Sequence, residues 1–172
     1  YGKSTGTPSE YGLKLDAEAA IQYLLTRDDL IDPEKIIAYG RSMGGAAAIH
    51  LAHTYPKEVK ALIVENTFTS ITDLIDTVMP ALKYLKFMST NVWPSHQLVP
   101  QIKMPVLFLS GLKDQLIPPP MMQKLYDTCG AVDKTIETFQ NGTHNQTWEM
   151  PGYYDKLSTW IATHFPTKPQ TD

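Results

Sequence analysis

The chain has 172 residues, enough for one core-forming domain and too few for two comfortable ones. Its apolar share of 42% is ordinary for a globular protein, and a formal charge of −3 with no Lys/Arg block points away from nucleic acid. Cys129 is the sole cysteine, which excludes an internal disulfide and a cysteine zinc cluster, and no run nears the ~18 apolar residues of a membrane span.

The chain opens at Tyr1-Gly2 without an initiator Met, so a fragment is expected. Thr7-Pro8-Ser9-Glu10 reads as a helix start, with Thr7 as cap, Pro8 in the first helical position and Glu10 at capping-box spacing. A helical stripe follows at Leu15, Ala19, Ala20, Tyr23 and Leu24. Lys35 to Tyr39 is a short β-prone run leading into "GRSMGG" at 40–45. Ala46 to Tyr55 reads as a helix with small residues at its base, ended by Pro56.

Val59 to Val64 is the second expected strand. Residues 66–103 lose strand character and read as one or two amphipathic helices, which the resemblance given below implies are a lid-like insertion. Met79, Leu82, Phe87, Met88 and Trp93 are its candidate acyl-channel residues, against ordinary helix packing as the plainer account. Met104 to Leu109 is a third strand, buried on both faces by its unbroken apolarity. Pro120 to Cys129 is expected to be helical, Thr135 to Phe139 a strand, and Pro151 to Phe165 a last helix before a tail. Strands alternate with helices, so the fold class is α/β, a parallel sheet with helices on both faces.

"GRSMGG" has G-x-S-x-G spacing between a strand and a helix, the context in which that motif carries meaning. A nucleophilic serine there sits in strained backbone, and its neighbours two residues away, Gly40 and Gly44, must lack side chains. Ser42 is the candidate nucleophile, and the backbone N–H of Met43 the candidate oxyanion donor. The plainer reading is a turn serine or helix cap. No metal or cofactor is needed for such chemistry.

The nucleophile needs a base, and the base an orienting acid, in the chain order serine, acid, histidine. His50 and His53 lie on the helix after Ser42, His96 precedes the best acid, and His164 ends the last helix and reads as surface. His144 alone sits in a turn after a strand, "NGTHN". Asp114 follows the third strand in a long polar loop, and Glu65, at the end of the second, is its rival. Ser42, Asp114 and His144 then each lie just past a strand, where groups collect in open α/β sheets. Two N-x-T sequons, at Asn141 and Asn145, read as chance matches.

"GRSMGGAAAIHLA", "SGLKDQLIPP" and "NGTHNQTW" together resemble the α/β-hydrolase superfamily. "VENTFTSI" and "DQLIPPPMMQKLY" resemble its eukaryotic Bem-type subfamily more closely. The resemblance implies a serine hydrolase with Ser42, Asp114 and His144 as triad, acting on acyl esters or thioesters, a lipidated protein among them. It also implies a single-pass membrane anchor before residue 1, with a soluble cytoplasmic protein as the alternative. Residues 1–172 would then be the C-terminal part of one hydrolase domain. About four strands, and the second oxyanion donor, would precede Tyr1. A chain starting there is expected to fold poorly and to be inactive by itself. Competing readings are a serine peptidase and a scaffold that keeps the fold without catalysis.

Overall fold

The computed structural model describes residues 3–78 and 91–166. Its centre is a parallel sheet of four strands, β1 Ile37–Arg41, β2 Ala61–Glu65, β3 Val106–Gly111 and β4 Lys134–Phe139, in the order β1-β2-β3-β4. The helices are α1 Glu10–Leu25, α2 Met43–Thr54, α3 Ile71–Val78, α4 Ser95–Leu98, α5 Pro119–Thr128 and α6 Tyr153–His164. This is the expected α/β class, a parallel sheet with helices on both faces.

Side chains alternate across a strand, and the two faces of β2 and β3 show it. Leu62, Val64, Val106 and Phe108 point to one face, where Ile21 of α1, Ile49 of α2 and Leu125 of α5 cover them. Ala61, Ile63, Leu107 and Leu109 point to the other, where Tyr153 and Trp160 of α6 cover them. Every residue of both strands is buried. A fully buried Leu or Phe adds about 1.5–3 kcal/mol over an exposed one, so these two strands anchor the domain.

The strands start two residues later than their apolar runs suggest, except β4. Hydrophobicity does not count Arg41, Glu65 or Gly111, yet the ladder does, because Arg41 pairs with Glu65 and Gly111 with Phe139. The helix start also differs. Ser9, not Thr7, caps α1 and accepts from the Gly12 N–H at 3.0 Å. The Glu10 carboxylate closes no capping box; it accepts from the Val92 and Trp93 N–H groups, 2.5 and 2.9 Å away.

Within 66–103, Met79, Leu82, Phe87 and Met88 lie outside the described residues. Trp93 is core: it is 3% exposed and clusters with Ala46, Phe68, Ile117 and Met121. His164 is not a free surface residue. Its ring lies 4.1 Å from that of Trp160, and its two nitrogens meet the Trp160 carbonyl and the Asp133 carboxylate.

Candidate active site

All four strands end on one edge of the sheet, and the polar loops lie beyond it. Ser42 follows β1 directly and has φ 55°, a conformation that residues other than glycine avoid. Two bonds hold it there. Its N–H donates to the Glu65 carbonyl at 2.9 Å, and its own carbonyl accepts from the Thr67 hydroxyl at 2.7 Å.

The chain then turns at once into α2, and the turn is tight. A Cβ on Gly40 would lie 2.0 Å from the Gly44 carbonyl oxygen, and one on Gly45 would lie 2.6 Å from Thr67 Cβ. Gly44 itself has open space at that position, so the steric demand falls on Gly40 and Gly45, not on Gly40 and Gly44 as the motif suggests. Met43 is the first residue of α2, so its N–H has no acceptor within the helix.

Asp114 lies in the loop after β3, its side chain only 1% exposed. One carboxylate oxygen accepts from the N–H groups of Leu116 and Ile117, at 2.9 and 2.8 Å. The other oxygen is 2.8 Å from His144 Nδ1. His144 stands in the loop after β4, and its Nε2 is 3.1 Å from Ser42 Oγ. With the Asp114 carboxylate as acceptor, Nδ1 carries the proton and the Nε2 lone pair faces the hydroxyl. This geometry allows a proton to pass from Ser42 Oγ to His144.

The other histidines are engaged elsewhere. His50 meets Glu18 of α1 at 2.7 Å, His53 meets Gln101, and His96 Nδ1 meets the Thr69 carbonyl. Glu65, the rival acid, points away from His144. One of its oxygens accepts from Tyr39 and Tyr153, at 2.6 and 2.8 Å. Burial first, and then the Glu65 bond, pushes the Tyr39 phenol up to about 12. Tyr153 moves in the same direction, again mainly through burial. Burial also raises the Cys129 thiol, which leaves it a poor nucleophile.

Sequence reasoning passes over Asn66, which is 1% exposed at the centre of this edge. Its one signal is its place directly after a strand, where asparagine tolerates positive φ; here φ is 43°.

Comparison with known proteins identifies the family. The chain matches the family Hydrolase_4, described as serine aminopeptidase S33, over residues 2–101 and 96–150. It belongs to that family of α/β hydrolases. Among curated relatives, protein bem46 of Schizosaccharomyces pombe is 44% identical over 164 residues, 94% of this chain and 54% of that one. An uncharacterized membrane protein of Saccharomyces cerevisiae is 43% identical, with 94% and 57% covered. The α/β-hydrolase domain-containing protein WAV2 of Arabidopsis thaliana is 38% identical, with 100% and 61% covered. The chain thus spans little more than half the length of these relatives.

Solved structures share the fold at lower identity. A monoacylglycerol lipase of Paleococcus ferrophilus superposes with a TM-score of 0.64 at 20% identity, covering 95% of this chain and 78% of that one. An acylaminoacyl peptidase of Pyrococcus horikoshii gives 0.72 at 20% identity, with 92% and 29% covered. Among the described residues, no helix is long and apolar enough to cross a membrane.

Proposed function

We propose that the protein is a serine hydrolase that cleaves carboxylic esters or thioesters through an acyl-enzyme. The single observation that supports this most is the hydrogen-bond chain Ser42–His144–Asp114. His144 Nε2 takes the Ser42 proton as Oγ attacks the acyl carbon. The Met43 N–H stabilises the oxyanion. His144 then returns the proton to the departing alcohol or thiol. In the second half His144 deprotonates a water, which attacks the acyl-Ser42 ester, and His144 returns that proton to the departing Ser42 Oγ as the acid is freed. Asp114 holds the imidazole in the tautomer that this requires. One oxyanion donor is worth ~2.7–4 kcal/mol of barrier, and by resemblance a second one is supplied before residue 1.

An acyl group fits the surroundings of Met43. A hollow of about 250 Å³ there is lined by Leu13, Met43, Ile71 and Trp93 among others. Glu10 also lines it, but Lys14 and two backbone N–H groups occupy its carboxylate. Residues 1–172 are read as part of one hydrolase domain, with 66–103 as its lid-like insertion. A lipidated protein as substrate and a membrane anchor rest on the resemblance alone.

A fluorophosphonate probe tests the chemistry: the full-length protein is expected to label, and Ser42→Ala to stay unlabelled. A panel of acyl esters, acyl thioesters and aminoacyl amides then ranks the substrate classes. Turnover of the amides alone would reject the ester reading in favour of the peptidase.

A further inference from the structure

We propose that Asn66 is a positioning residue that sets the His144 imidazole against Ser42; this rests on the triad reading above. Three consecutive residues at the end of β2 hold the loops of the site. Glu65 and Thr67 fix the backbone of Ser42 from either side, through the two bonds already described. Asn66, between them, holds the other two loops.

Its side chain is fully committed. Oδ1 accepts from the Gly111 N–H at 2.8 Å, at the end of β3. Nδ2 donates to the Thr147 hydroxyl at 2.9 Å and to the carbonyls of Thr143 and His144 itself, both at 3.3 Å. The Thr147 hydroxyl in turn donates to the Thr143 carbonyl at 2.7 Å. Gly111 also joins the acid loop, since its carbonyl accepts from the Asp114 N–H at 3.2 Å. One buried amide therefore sets the distance between the acid loop and the histidine loop.

The room around this amide is closed. A Cβ on Gly111 would meet Thr147 Oγ1 at 2.3 Å and the Gly142 carbonyl oxygen at 2.6 Å. The loop carrying His144 cannot slide along β3 to make up for a lost bond. Asparagine also suits the backbone at φ 43°, where most side chains are strained. Aspartate is nearly the same shape, but it turns the Nδ2 end into an acceptor. Three oxygens already face that end, so in Asn66→Asp the introduced carboxylate would push the His144 loop away.

The experiment compares wild type, Asn66→Asp, Asn66→Gly and the core variant Ile49→Val, all in the full-length protein. Three quantities are measured: the rate of fluorophosphonate labelling of Ser42 against pH, normalised to the folded fraction; the unfolding midpoint; and the downfield NMR signal of the His144 Nδ1 proton. Asn66→Gly keeps the positive φ without strain, so it separates the side chain from the backbone.

The expected result is a loss of about 10- to 100-fold in normalised labelling for both Asn66 variants, with the His144 proton signal displaced or lost. Ile49→Val lowers stability and leaves both quantities unchanged. Asn66 variants that label at the wild-type rate with an unmoved signal overturn the proposal. So does failure of both variants to fold, which would assign Asn66 to the fold. A wild type that does not label at Ser42 removes the nucleophile reading instead, and the NMR comparison then decides the role of Asn66 by itself.

Discussion

Gly40 and Gly44 meet backbone to backbone across the Ser42 turn: a Cβ on the first would lie 2.0 Å from the carbonyl oxygen of the second. Neither backbone can swing aside as a flexible side chain would, so β1 and α2 have no slack between them. Gly40→Ala is expected to cost about 3 kcal/mol, the upper end of overpacking. Gly44→Ala has open space and should stay within about 0.5 kcal/mol of wild type. Chemical denaturation of the two variants checks the contrast, and equal losses would refute it.

Ser42 sits at φ 55° because the turn demands it. Glycine relieves that strain, so Ser42→Gly is expected to raise stability by about 1 kcal/mol while abolishing fluorophosphonate labelling. Ser42→Ala keeps a Cβ and should gain little. The unfolding midpoints of the pair report the strain directly.

Asp114 and Glu65 are both buried acids at strand ends, yet only one meets His144. In Asp114→Asn the amide oxygen can still accept from Leu116 and Ile117. Its NH₂ then faces Nδ1 and forces the opposite tautomer, with a proton on Nε2. Labelling of Ser42 should fall by about 10⁴-fold. Glu65→Gln should lose about 1 kcal/mol or more of stability but label normally per folded molecule. Equal labelling losses for the two would contradict the assignment.

Tyr39 ionises at about 12 in the folded protein, against 10.0 unperturbed. The folded state then holds this proton more tightly than the unfolded one. The stability contributed by the phenol is complete below pH 10 and is lost as pH rises from 10 to about 12. Denaturation midpoints across that window should fall more steeply for wild type than for Tyr39→Phe. Parallel slopes would show that the phenol is not held protonated.

Much of this edge is legible in the chain. Ser42, Asp114 and His144 each follow an expected strand, and a parallel sheet brings the ends of such strands to one side. Their local partners are two or three residues away, as with Asp114 and the Leu116 and Ile117 N–H groups, and spacing can suggest those. Long-range polar partners leave no such trace. Glu10 has the spacing of a capping box, but its carboxylate is taken by N–H groups 82 and 83 residues on. Asn66 looks like any turn asparagine until four groups from two other loops are seen around it. Trp93 carries the composition of a channel, and the structure gives it both a place in the core and a side on the hollow beside Met43.

Strand order here equals chain order. During synthesis each strand can dock on the one made just before it, without waiting for a distant partner. Ser42 leaves the ribosome first, and the imidazole that faces it follows 102 residues later. A nascent or prematurely terminated chain therefore carries an unactivated hydroxyl. In the hydrolase proposed above, reactivity would wait for β4 and the loop after it, and an incomplete translation product would be chemically quiet.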